Sequence, residues 1–285
     1  MSRAFTAACV QLTSGREPAE NVAAASDLIR EAKAAGADFV LTPETTNMME
    51  PSGRLLRDKA VPEADDASVA AFSALAAELG IWLLIGSVVV RAANDKAANR
   101  SILFDPSGTI AARYDKIHMF DVDIPDGQSY RESKSYAPGE QAVVADLPWG
   151  RLGLSVCYDL RFPYLYRALA HAGAEFLTVP AAFTRFTGQA HWHVLLRARA
   201  IETGCFVLAP AQCGTHAEGR QTYGHSLIVA PWGEVLADAG DEPGVVLAEI
   251  DPAKVQKARG MVPALTHDRA FAAPETPAPL RIAGE

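Results

Sequence analysis

Strand-like and helix-like patterns alternate along this chain almost from its first residue, and that alternation is the strongest constraint on its fold. Residues 4–10 read as an apolar strand, and 18–35 as an amphipathic helix with Val22, Ala25, Ile29 and Ala32 on one face and Gly36 as its stop. A strand over 37–42 follows, then a helix marked by Val69, Phe72, Leu75 and Leu79, then strands over 81–90, 100–104 and 109–114. The second half repeats the alternation, with strand 151–156, helix 162–172 ended by Gly173, strand 174–179, helix 188–203 ended by Gly204, then strands 205–211, 224–230 and 245–250. Asp105-Pro106-Ser107-Gly108 and Ala230-Pro231-Trp232-Gly233 each place a turn between two strand runs, one per half, which hints at an internal duplication. Alternating βα units build layered α/β folds, and periodicity alone leaves a Rossmann-like sheet and a sandwich both open. No G-x-G-x-x-G motif follows a strand, so a dinucleotide site is not expected.

Three of these strands run out into charged or nucleophilic residues, where ligands collect on α/β sheets. The strand at 37–42 ends in Pro43-Glu44, the strand at 109–114 in Asp115-Lys116-Ile117-His118, and the run 151–156 in Cys157-Tyr158-Asp159-Leu160-Arg161-Phe162-Pro163. Pro163 suits a first helical turn, which puts Cys157 on a strand-to-helix turn where backbone donors and a helix dipole favour a thiolate and a developing oxyanion. Acyl transfer from an amide needs a nucleophile, a base that takes its proton and passes it to the leaving amine, and a positive group for the oxyanion. Cys157, Glu44 and Lys116 are residues of those three kinds. A Ser/His/Asp hydrolase is excluded by the lack of a G-x-S-x-G elbow.

These three segments resemble, in order and spacing, the signature segments of the nitrilase (carbon–nitrogen hydrolase) superfamily, and the likeness runs from about residue 4 to about residue 265. Cys-Tyr-Asp-Leu-Arg-Phe-Pro at 157–163 is similar to the Nit amidase branch rather than to true nitrilases, which usually carry Cys-Trp-Glu there. The block from 190–204 through Ala211-Gln212-Cys213-Gly214-Thr215-His216 and Tyr223-Gly224-His225-Ser226 is similar to Nit1-type enzymes, although His193 stands where those usually have Glu. The resemblance implies an α/β fold of the αββα four-layer sandwich type, a homodimer or higher homo-oligomer joined through helical faces, and a cofactor-free amidase working through a thioester on Cys157 with release of ammonia. It implies a small carboxamide as substrate, deaminated glutathione or a similar ω-amide, with an ω-amidase of 2-oxo acid amides, an N-carbamoyl amidase or a catalytically silent scaffold as alternatives. It also implies a second carboxylate, Glu132, which orients Lys116, and the backbone N–H of Tyr158 as an oxyanion donor. Local sequence alone reads Glu132 as a solvated loop residue.

Residues 180–188 follow a strand and precede a helix, so Arg185, with Phe183 and Thr184, is expected on the rim of the site, where a guanidinium could fork onto a substrate carboxylate. A net charge of −8 makes such a local positive group necessary for an anionic substrate and argues against nucleic-acid or anionic-membrane partners. No apolar run nears the roughly 20 residues of a membrane span, and no basic-then-apolar leader opens the chain, so a cytoplasmic enzyme is expected. The four cysteines have no paired spacing, and the seven histidines show no HExxH-type grouping; His191 and His193 turn to different faces of their helix. No metal is expected. Residues 1–270 are expected to form one domain, with 271–285 a tail that is either an arm or disordered.

Overall fold

The computed structural model describes residues 3–93, 95–124 and 129–274. Its first half runs β1 (Phe5–Gln11), α1 (Pro18–Ala34), β2 (Phe39–Leu41), α2 (Gly53–Lys59), α3 (Ala67–Leu79), β3 (Trp82–Arg91), β4 (Ala97–Phe104) and β5 (Ile110–Asp115). A short ribbon of β6 (Asp121–Asp123) and β7 (Ser129–Arg131) leads into the second half. There follow β8 (Val144–Leu147), β9 (Gly150–Gly153), α4 (Pro163–His171), β10 (Phe176–Thr178), α5 (Arg185–Thr203) and β11 (Phe206–Ala209). A second ribbon, β12 (Cys213–Thr215) and β13 (Gln221–Tyr223), precedes β14 (Leu227–Val229) and β15 (Val235–Asp238). The described chain closes with β16 (Gly244–Ile250) and α6 (Ala253–Met261).

Two six-stranded sheets result, ordered β16-β1-β2-β3-β4-β5 and β15-β14-β11-β10-β9-β8. In each, three parallel strands linked through helices are followed by two antiparallel ones. That order is β1, β2, β3, β4, β5 in the first sheet and β9, β10, β11, β14, β15 in the second. The two turns noted in the sequence occupy equivalent places, joining β4 to β5 and β14 to β15. The duplication hinted at by one pair of turns is thus visible in the topology of both sheets.

Side-chain alternation assigns the layers. Phe5, Ala7 and Cys9 of β1 join Phe39 and Leu41 in the core shared with Phe176, Phe206 and Ile228 of the second sheet. Ala8 and Val10 point the other way and pack with Ala25, Ile29 and Phe72 of α1 and α3. Leu165, Tyr166, Trp192 and Leu196 of α4 and α5 cover the outer face of the second sheet. The order is helices, sheet, sheet, helices: the αββα sandwich. Local signals fix the helix ends. Asp66 accepts from the N–H groups of Ser68 and Val69 to open α3, and Gly80 and Gly204, both with positive φ, close α3 and α5.

Several elements depart from the sequence expectation. α5 opens at Arg185, three residues before the expected start. The residues ahead of α4 form a separate 3₁₀ turn over Cys157–Arg161. Among the described residues, no helix is long and apolar enough to cross a membrane. Residues 275–285, the greater part of the expected tail, lie outside the described residues.

Candidate active site

Cys157 follows β9, the strand next to the edge of the second sheet, by four residues, and opens the 3₁₀ turn with φ at 49°. This left-handed backbone is uncommon for a residue with a side chain, and it persists because the turn is tied on every side. The Cys157 N–H donates to the Pro180 carbonyl at 2.9 Å. The buried Asp159 carboxylate accepts the Val156 N–H at 2.8 Å, the Tyr114 hydroxyl at 2.7 Å and the His118 N–H at 3.0 Å, with the His118 ring also at 2.7 Å. Tyr114 belongs to β5, so Asp159 fastens the turn that carries the thiol to the opposite sheet. Arg161 lies over the rings of Phe183, at 5.2 Å, and Tyr158, at 6.0 Å, and so packs beside the turn.

Glu44 follows β2, and Lys116 follows β5. Gly86 of β3 allows the Glu44 turn to come close: a Cβ there would lie 1.9 Å from the Thr42 carbonyl oxygen and 2.4 Å from Pro180 Cβ. The Lys116 ammonium donates to Glu44 at 2.9 Å and to both oxygens of Glu132 at 2.9 and 2.8 Å. Glu44 also accepts from Asn99 at 2.8 Å and from the Ala182 N–H at 2.7 Å. Glu132 accepts the Phe120 N–H at 2.6 Å and lies within 3.3 Å of the Asn99 amide. The structure therefore brings Glu44, Lys116, Glu132 and Cys157 into one buried cluster, and Glu132 is no solvated loop residue.

Burial is the largest influence on the Glu44 carboxyl and would raise it, but the Lys116 charge opposes it. Hydrogen bonds from Lys116, Cys157 and Ala182 add to that effect and hold Glu44 below the ordinary glutamate value. Burial would lower Lys116, yet the charges of Glu132 and Glu44 keep it well above the lysine range. Cys157 moves the other way from the sequence expectation. Burial, then the Glu44 charge, push the thiol well above its usual value, and Lys116 offsets this only in part. The helix expected to favour a thiolate begins only at Pro163, and its first turn is not at the sulfur. The resting cluster is a neutral thiol beside a carboxylate and a charged ammonium.

A cavity of about 430 Å³ opens onto this cluster. Tyr158, Phe183 and Thr184 line it together with Asn99, Tyr130, Arg131 and Arg220. Arg185 does not line it: Thr184 is the N-cap of α5, and Arg185 starts the helix with an exposed side chain. Besides Lys116, paired with Glu44 and Glu132, the positive groups at the cavity are Arg131, paired with Asp123, and Arg220. Arg220 donates to the Ala182 carbonyl at 2.9 Å and lies 5.5 Å from the Tyr130 ring centroid. Its buried Nε has no partner, and it forms no ion pair among the described residues. Sequence reasoning missed Asn99 and Arg220. A polar residue in the apolar start of β4 was the signal for Asn99; Arg220 sits in a short turn between two ribbon strands and carried none. Cys9, Cys205 and Cys213 are buried away from the cavity lining.

The family model described as carbon-nitrogen hydrolase matches residues 6–260. A deaminated glutathione amidase from Yersinia enterocolitica is 42% identical over 265 residues, covering 92% of each chain. A deaminated glutathione amidase from Homo sapiens is 40% identical over 278 residues, covering 92% of this chain and 81% of that one. The crystal structure of the C. elegans NitFhit protein superposes with a TM-score of 0.88 at 36% identity, covering 94% of this chain and 66% of that longer one. The chain belongs to the carbon–nitrogen hydrolase family. It is an amidohydrolase acting on carbon–nitrogen bonds other than peptide bonds.

Proposed function

We propose that this amidase cleaves deaminated glutathione or a closely similar ω-amide through a thioester on Cys157. Glu44 takes the thiol proton as the sulfur attacks the amide carbonyl carbon. The Lys116 ammonium and the Tyr158 N–H bind the oxyanion; that N–H lies at the start of the 3₁₀ turn over Cys157–Arg161, where the first N–H groups have no acceptor within the turn. As the C–N bond breaks, Glu44 gives its proton to the departing nitrogen. A primary amide releases ammonia. In deaminated glutathione the nitrogen belongs to cysteinylglycine, and that dipeptide leaves instead. Glu44 then takes a proton from a water that attacks the thioester, and the acid departs as the Cys157 sulfur recovers its proton. Glu132 holds Lys116 charged and aimed throughout. It is a positioning residue.

One observation carries the reaction: a base, an ammonium and a thiol, drawn from both sheets, meet in a buried cluster at the floor of a cavity. The substrate class rests on the names of the relatives and on Arg220, a guanidinium without a carboxylate partner among the described residues. It offers an anionic amide the fork that the acidic protein otherwise lacks. Mass detection of cysteinylglycine from deaminated glutathione, run beside ammonia release from ω-amides of 2-oxo acids and from N-carbamoyl compounds, tests the assignment. Turnover of N-carbamoyl compounds alone would sink it.

The proposal extends to a cytoplasmic homo-oligomer. A reducing compartment keeps the nucleophilic thiol and three further unpaired cysteines reduced. Exposed Tyr164 on α4 and Val194 and Ile201 on α5 give those helices an apolar outer face suited to a second copy. Sedimentation velocity on the purified chain checks this, and a monomer at micromolar concentration would count against it.

A further inference from the structure

Away from the cavity, three metal-ligating side chains from three different elements converge on one point of the surface. His193 lies on α5, His225 in the segment between β13 and β14, and Asp238 at the end of β15. One donor atom from each lies within 4.8 Å of the other two. His193 Nε2 is 3.1 Å from Asp238 Oδ2, and His225 Nδ1 is 2.9 and 3.1 Å from the two Asp238 oxygens. We propose that His193, His225 and Asp238 form a binding site for a divalent transition-metal cation of the zinc class, with solvent in the remaining position.

The geometry favours that class. Zinc–nitrogen and zinc–oxygen bonds of roughly 2.0–2.1 Å set tetrahedral donor separations of about 3.3–3.4 Å, so these nitrogen–oxygen spacings need open by only a few tenths of an ångström. Two imidazoles and one carboxylate suit a borderline cation better than magnesium or calcium, which prefer all-oxygen sites. The surroundings already supply what orients metal ligands. Asp241 lies 3.5 Å from His225 Nε2, the nitrogen that faces away from Asp238. Gly240 N–H donates to Asp238 Oδ1 at 2.9 Å. His225 is further held by a Tyr223 ring stacked at 4.5 Å and by the Trp192 indole, which donates to the His225 carbonyl at 2.8 Å. All three ligands remain partly open to solvent, so an ion has a way in.

A cation here ties α5 to the edge of the second sheet. Sequence spacing hides the site, because His193 and Asp238 are 45 positions apart. Isothermal titration of the chelator-washed protein with zinc chloride tests it, in the wild type and in a Cys157→Ala background that removes the active-site thiol. One zinc per chain, the same in both, is expected, with a rise in Tm at saturation. His193→Gln still donates a hydrogen bond to Asp238 yet is a poor zinc ligand. It should weaken binding at least tenfold while the apo protein melts as before, and Asp241→Asn should weaken it about tenfold through His225. Undiminished binding in His193→Gln, loss of the site with Cys157, or no stoichiometric binding at all would each overturn the proposal and leave the cluster as a hydrogen-bonded bridge only.

Discussion

The Lys116 ammonium sits 2.9 Å from the Glu44 carboxylate, with side chains only 2% and 5% exposed. A buried pair of this kind is sustained only if the remaining donors and acceptors are satisfied, because removing either charge strands the other away from water. Glu132 and Asn99 on one side and the Ala182 N–H on the other complete that satisfaction. The proposed base and the proposed oxyanion donor therefore hold each other's charge, which would link chemistry to stability through one contact.

The link fixes the pH behaviour. The folded Glu44 carboxyl lies below its ordinary value, so its contribution is present above about pH 4.3, the unfolded value, and is lost as pH falls through the still lower folded value. Lys116 is raised, so its contribution is complete below about pH 10.4 and is lost as pH rises through the higher folded value. We expect kcat/KM to be level across the neutral range, with the acid limb below the ordinary glutamate value. A pH–rate profile with an acid limb near pH 6 would contradict the ionised resting state of Glu44.

Cys157→Ala should abolish turnover with the fold intact, a loss of several orders of magnitude because the nucleophile acts as part of a unit. Circular dichroism checks the fold, and intact-mass measurement should find no acyl adduct on the variant. Residual activity above a few per cent would mean another nucleophile. Cys205→Ala is the contrast: its buried sulfur touches the Ala174 carbonyl and the Arg259 guanidinium, so this change should leave kcat alone and cost about 1 kcal/mol of stability.

Glu132→Gln keeps the shape of the side chain and removes the charge facing Lys116. We expect kcat to fall roughly 10²-fold, the scale of losing one oxyanion donor, with acylation the impaired step and Tm little changed. Single-turnover kinetics on a chromogenic amide separates acylation from hydrolysis. Wild-type acylation by this variant would remove Glu132 from the machinery.

Arg220→Ala should raise KM for a carboxylate-bearing amide about tenfold, roughly 1.4 kcal/mol, with kcat nearly kept, while Arg185→Ala should change neither. Arg220 also donates to the carbonyl of Ala182, the residue whose N–H meets Glu44. A neutral amide is therefore the control, and equal kcat/KM for it in wild type and variant shows the base undisturbed. An equal loss on neutral and anionic amides would falsify the binding role.

Much of this was legible in the sequence because the deciding signals are local. The apolar period of Ala25, Ile29 and Ala32 and the stops at Gly80 and Gly204 act within a few residues of themselves. Glu44, Lys116 and Cys157 lie just past strand ends, where α/β sheets place such groups. Glu132 became visible only through family resemblance, since its partner stands 16 positions away across a ribbon. Arg185 was misplaced because a position after a strand does not say which way the first turn of a helix faces. α6 went unread: only Val255 and Ala258 of its nine residues are buried, too few to show a period.

Both sheets supply the cluster, and the first sheet is itself closed late. β1, the first strand in chain order, has β16 as its edge partner, pairing Phe5 with Ile250 across nearly the whole sequence. During synthesis, a ribosome that has made only the first half has exposed Glu44 and Lys116 with no thiol to act upon. One that has just released Cys157 still lacks the strand that seals the first sheet. The cluster and the sheet that carries half of it are therefore complete only once residue 250 has been made.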